Sequence, residues 1–208
     1  CLITSNETYR QYEETQKALE QRSAEEAQKR MQESEKQSRI NEHLKANALS
    51  ILDAYEINES ADTLSVSCEI ISADPKRLTA VYTGELSIEG GAHPSRIFYT
   101  NTLNLNQMKD MGLNDFTDAY TMAGYVLSED VRFPKLNAEE TSAALEYRST
   151  QSMEALTAVF ENADFPLSGK ETWPESFSYE KQGRIYFSLP VPHALGDYVI
   201  VEFDPATK

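Results

Sequence analysis

Three histidines and two cysteines carry the widest chemical repertoire in this 208-residue chain. His43, His93 and His193 stand far apart, and none belongs to an H-x-x-x-H pair that would put two imidazoles on one helix face for a metal. A hydrolytic metal centre would need the fold to bring His93, His193 and a carboxylate together. Cys1 and Cys68 make no disulfide framework and no Cys/His zinc pattern. Cys68 lies in TLSVSCEIIS, where Leu64, Val66, Cys68 and Ile70 alternate onto one strand face, so a buried free thiol is expected. With 34 Asp and Glu against 19 Lys and Arg, neighbouring carboxylates read as a solvated acidic face rather than a glycosidase pair. The G-x-S-x-G elbow, the Walker loop and the Rossmann fingerprint are missing from the sequence. The expectation is a non-enzymatic chain with no cofactor and no resident metal.

Two short segments remain as candidate contact loops. Gly90-Gly91-Ala92-His93-Pro94 separates two alternating runs. Its glycines tolerate positive φ, so a tight turn is the first reading and a ligand-contacting rim the second. In LPVPHALGD, Pro190 and Pro192 end one strand and Gly196 precedes the next, so Pro190, Pro192, His193, Ala194 and Leu195 project between them. Stiff loops on a sheet edge make good binding surfaces.

The elements that must hold these loops are legible as periodicity. Residues 63–72, 77–89 and 95–105 alternate as strands, the first two joined by Ala73-Asp74-Pro75-Lys76. Leu78, Ala80, Tyr82, Leu86 and Ile88 share one face of the second. Two helices follow, over about 117–128 from Thr117 and over about 138–162, the latter opened by Asn137 and Glu140 at capping-box spacing. Three short strands close the chain at 176–180, 184–190 and 197–203. This order predicts an α+β fold with a mostly antiparallel sheet packed with two helices. Ahead of it, residues 7–52 contain neither Gly nor Pro and read as one long helix. Its apolar positions are too sparse for a coiled coil until Ile40, Leu44, Ala48, Ile51, Leu52 and Tyr55. The expected division is therefore a polar helical spacer over 1–39 and an α+β domain over 40–208.

Charge is unevenly spread. Residues 1–50 hold eight basic and nine acidic residues, and residues 51–208 hold eleven and twenty-five, a net of −14. A domain this acidic repels nucleic acid and attracts basic partners. No apolar run approaches the roughly 18 residues of a membrane span. The chain begins on Cys1, which is what removal of a bacterial lipoprotein signal peptide leaves for lipidation; a trimmed chain would read the same. The expectation is an exported chain on the cell surface, meeting the membrane only through a lipid on Cys1.

Two blocks carry a family resemblance. YTGELSIEGGAHP followed by LNLNQMKDMGLNDF, and later GRIYFSLPVPHALGDYVIVE, resemble the extracytoplasmic domain of RsiV-type anti-sigma factors. In the first block Asn104, Lys109, Leu113, Asp115 and Phe116 fall on the family pattern. INEHLKANALSIL resembles the helix that precedes the family's sheet, so the likeness spans about residues 40–204. The chain departs from the pattern at Gln107-Met108-Lys109, where a Thr/Gly-Lys turn is common, and at His193, where Tyr is frequent. The resemblance implies a binding role: such domains sense lysozyme outside the cell, precede peptidoglycan deacetylase domains, or occur in lipoproteins. The sequence itself shows no sigma-binding domain and no deacetylase domain. Its expected partner is lysozyme or another basic, cell-wall-directed protein. The alternative is a peptidoglycan-binding module in which Trp173, Tyr179 and Tyr186 stack on sugar rings.

Overall fold

The computed structural model describes residues 3–207; Cys1, the expected lipid anchor, lies outside them. Helix α1 runs over Ile3–Ala54, as a stretch free of Gly and Pro should. The chain divides into two compact units between Lys45 and Ala46. In the first, every side chain from Tyr9 to Arg39 is exposed, including the large apolar ones at Tyr9, Tyr12, Leu19 and Met31.

The second unit is an α+β fold. Its first sheet is an antiparallel meander in the order β1-β2-β3-β4, from β1 (Thr63–Ala73), β2 (Arg77–Ser87), β3 (Ser95–Asn104) and β4 (Lys109–Met111). The turn between β1 and β2 forms as its sequence predicts, with Asp74 Oδ1 accepting from the backbone N–H of Lys76 and Arg77. Cross-strand pairs knit the middle. Tyr82 and Tyr99 stack at 4.5 Å, and the hydroxyls of Thr79 and Thr102 lie 3.2 Å apart in the buried interior.

The last turns of α1 pack on this sheet, placing Ala48, Ile51 and Leu52 with Tyr82, Leu86 and Ile97. Polar contacts fix the register of that packing. Asn47 Nδ2 donates to Asn101 Oδ1 at 2.9 Å and Asp110 Oδ1 at 3.1 Å, and the Tyr99 hydroxyl donates to the Ala48 carbonyl at 3.0 Å. Buried groups satisfied in only one arrangement penalise any slip of the helix.

Two expectations for this sheet fail. Cys68 is exposed. Its strand is the sheet edge, and the core reaches only Leu64 and Val66 on that face, leaving Ile70 51% exposed. Ile88 is 54% exposed because β2 ends before it.

The chain then forms α2 (Leu113–Phe116), α3 (Ala119–Leu127), α4 (Ala138–Ser149) and α5 (Met153–Glu161). Asp118, rather than Thr117, caps α3 by accepting from Thr121 N–H at 2.7 Å. The Asn137–Glu140 capping box is present on α4. The single helix expected over 138–162 is two helices. The Thr150 hydroxyl turns back onto the Tyr147 carbonyl at 2.7 Å, and Ser152 Oγ accepts from Ala155 N–H at 3.1 Å to start a new helix. These helices cover a second sheet of order β5-β6-β7, from β5 (Ser178–Lys181), β6 (Arg184–Pro190) and β7 (Tyr198–Phe203). Met122, Val126, Phe160, Phe187, Leu189 and Val201 fill the space between.

Asp164 sits where the two sheets meet. Its carboxylate is buried and accepts from Leu113 N–H at 2.7 Å, Ser178 N–H at 2.6 Å and Ser178 Oγ at 2.6 Å. Thr100 Oγ1 of β3 lies 3.3 Å from Asp164 Oδ1, but its one proton has a closer acceptor in the Ser178 carbonyl at 2.6 Å. Burial pushes the Asp164 carboxyl up to about 6, against the pull of the Ser178 and Leu113 donors and the Lys170 charge. Lys170 Nζ donates to the carbonyls of Asn162, Ala163 and Asp164 at 2.8, 2.6 and 2.5 Å, tying down the same corner.

Candidate binding site

The two candidate loops meet, although a hundred residues separate their histidines. The rings of His93 and His193 are 6.4 Å apart between centroids. The first loop is a turn closed by Gly91 N–H onto the Ile88 carbonyl at 2.9 Å, with Gly90 at φ 80 in the position of such a turn that favours glycine. Asp62 Oδ1 holds it from outside by accepting from Glu89 N–H at 2.9 Å. That bond and one from Asn58 N–H keep the Asp62 carboxyl below its ordinary range. Gly90, Gly91, Ala92, His93 and Pro94 are all exposed.

The second loop leaves β6 at Pro190, passes through a single 3₁₀ turn over His193–Leu195 and enters β7. Gly196 closes that turn at φ 94, a conformation that strains any side chain. Asp197 then locks the loop in two directions. Its Oδ1 is 2.8 Å from His193 Nδ1, and its Oδ2 accepts from Arg96 N–H on β3 at 2.7 Å. The Arg96 guanidinium lies over the Tyr198 ring at 4.7 Å, and Phe98 stacks on that ring at 5.1 Å. One carboxylate thus fixes the histidine, the loop and the start of the strand that follows the Gly-Gly turn. The expected contact residues do not all point outward: Pro192, His193 and Ala194 are exposed, Pro190 is half-buried, and Leu195 packs against the second core.

Pro190 sits between two grooves. One, of about 280 Å³, includes Tyr147, Leu156, Val191 and Pro192. The other, of about 410 Å³, is framed by Tyr55, Phe98, Trp173 and Tyr198, with Glu175 and Asp197 among its lining. Trp173 is half-buried and meets the rings of Tyr55, Tyr99, Phe165 and Phe177. Tyr179 is buried, with its ring parallel to Tyr186 at 5.0 Å. Of the three residues expected to stack on sugars, Tyr179 is buried, while Trp173 and Tyr186 are half-buried and each meets a neighbouring ring.

Asp197, Arg96 and Tyr198 organise the site and were not singled out in the sequence. Asp197 carried a local signal, standing four residues after His193 and directly after a loop glycine. The partnership with Arg96 is a tertiary pairing that no local pattern encodes. His193 has its carboxylate and His93 close by, yet among the described residues no three His, Cys, Asp or Glu side chains form a group suited to a metal ion. Among those residues, too, no helix is long and apolar enough to cross a membrane. No protein-family model and no curated protein sequence matches this chain.

Proposed function

We propose that the second unit is an extracytoplasmic, non-enzymatic binding domain that captures a basic, cell-wall-directed protein of the lysozyme class. The observation that carries this reading is the meeting of the two loops in a locked arrangement: His93 beside His193, with Asp197 holding His193 and Arg96 at once. A pre-fixed loop has little freedom left to lose when a partner seats on it. The residues from 51 onward carry −14, which speeds encounter with a basic protein over about a Debye length, roughly 8 Å at physiological salt. Charge of this kind sets the approach, and the exposed Pro192, His193 and Ala194 supply the contact.

The test is calorimetric titration with a basic c-type lysozyme at low and at physiological salt. The reading expects a saturable one-to-one isotherm that weakens with salt but persists. Heat that disappears at physiological salt would leave only an acidic protein meeting a basic one.

A further inference from the structure

The groove beside Pro190 shares Arg96, Phe98, Asp197 and Tyr198 with the locked loop and adds Tyr55, Trp173 and Glu175. Four aromatic residues frame it: Tyr55 and Trp173, whose rings meet edge to face at 6.4 Å, and Phe98 and Tyr198, which stack at 5.1 Å. Two carboxylates and one guanidinium line it, those of Glu175, Asp197 and Arg96. Arg96 is already committed to the Tyr198 ring. Glu175 is exposed and, among the described residues, has no hydrogen-bond or ion-pair partner. The groove therefore presents aromatic walls and one unmatched negative charge.

We propose that this groove receives an arginine or lysine side chain of the basic partner, held between the aromatic walls and paired with Glu175. The inference rests on the binding reading above and adds a defined anchor to it. Aromatic rings attract a desolvated cation through their quadrupole, and arginine also packs flat against them. The chain itself makes such a contact here, because the Arg96 guanidinium over Tyr198 is the same interaction formed internally. The field in the groove has the required sign: after burial, the Asp197 charge is the next influence raising the Tyr55 hydroxyl above its ordinary range. The volume of about 410 Å³ is enough for one long side chain and the backbone on either side of it. Pro190 and Asp197 belong both to this groove and to the ends of the contact loop, so one partner can engage the two together.

Trp173 is the only tryptophan in the chain, which makes its fluorescence a direct report on the groove. The experiment titrates the full chain with the tripeptide Gly-Arg-Gly and with its citrulline analogue, which keeps the shape and removes the charge. The expected result is a saturable change in Trp173 emission with the arginine peptide and about tenfold weaker binding of the citrulline peptide. Glu175→Gln, an exposed change that should leave the far-UV circular dichroism intact, should weaken the arginine peptide by a similar factor. Equal response to both peptides, no response to either, or a response only to peptidoglycan fragments would overturn the proposal.

Lysozyme titrated in parallel separates the two readings. If lysozyme binds but Glu175→Gln leaves its affinity and the Trp173 signal unchanged, the groove proposal falls and the binding reading stands. If the arginine peptide fills the groove while lysozyme does not bind, the partner is wrong and the groove stands.

Discussion

Replacing Asp164 with Asn removes one charge from the junction of the two sheets and places an amide NH₂ where an oxygen had been. Whichever oxygen is lost, a donor faces a donor. At Oδ1 the NH₂ opposes Ser178 N–H, and at Oδ2 it opposes Leu113 N–H. One buried backbone N–H is then orphaned, at about 1–3 kcal/mol, and the remaining bonds lose their charge assistance. A loss of about 3 kcal/mol at pH 7 is expected, enough to be plain in urea unfolding followed by Trp173 fluorescence.

The pH dependence gives a sharper result. In the folded chain the Asp164 carboxyl titrates at about 6, above the 3.8 of an unperturbed Asp, because burial penalises its charged form. Between those values the folded state binds more protons than the unfolded one, so this group makes the native protein gain stability as pH falls. The gain is fully present below the unfolded value and is lost as pH rises through about 6. From pH 7 to pH 4.5 it amounts to about 2 kcal/mol for the wild type and is absent from Asp164→Asn. The gap between the two proteins should therefore widen on acidification. Relief of the overall negative charge acts on both and largely cancels in the comparison. A gap that narrows between pH 7 and pH 4.5 would refute the reasoning, since it would mean that the three donors outweigh burial and hold the carboxyl below its ordinary range.

Three further outcomes are expected. Asp197→Ala releases His193 and the Arg96 N–H together and puts Ala at a φ of 69, so affinity for a basic partner should drop about tenfold in calorimetry while stability falls by about 1–2 kcal/mol. Gly196→Ala must place a side chain at φ 94 and should cost about 1–2 kcal/mol in chemical denaturation, with weaker partner binding because the 3₁₀ turn closes on that residue. In a Cys1→Ser variant, Cys68 should react with a disulfide reagent in the native protein at a rate within about tenfold of the unfolded chain; a buried thiol would lag far behind.

The fold was legible where periodicity and punctuation agree. The strand predicted over 184–190 is β6 itself, because the turn at Gln182-Gly183 and the prolines that follow set both ends. The capping box at Asn137 and Glu140 likewise located the start of α4. Two features were hidden because they depend on competition or brevity. Thr150 and Ser152 broke a segment whose apolar spacing continued through them, since their hydroxyls took over backbone partners of the helix. The three-residue β4 is too short to show alternation. Cys68 is exposed against expectation because alternation tells which face a residue occupies, but not how far the core extends along that face.

The site was half legible. Glycine, proline and histidine mark both loops. The residues that make them one structure are Asp197 and Arg96, a pair formed between β3 and the start of β7. Asp164 is the same kind of omission, a lone acid in a loop whose donors at Leu113 and Ser178 lie 51 and 14 residues away.

The most direct test of the central claim is dissociation kinetics at physiological salt, with a basic c-type lysozyme immobilised and either the wild-type chain or a Pro192→Ala, His193→Ala double variant flowing over it. Both substitutions leave the acidic charge of the domain intact, so the association rate should be nearly unchanged. If the loop is the anchor, the variant should dissociate at least about tenfold faster. Equal dissociation rates, or no wild-type binding at that salt, would contradict the account.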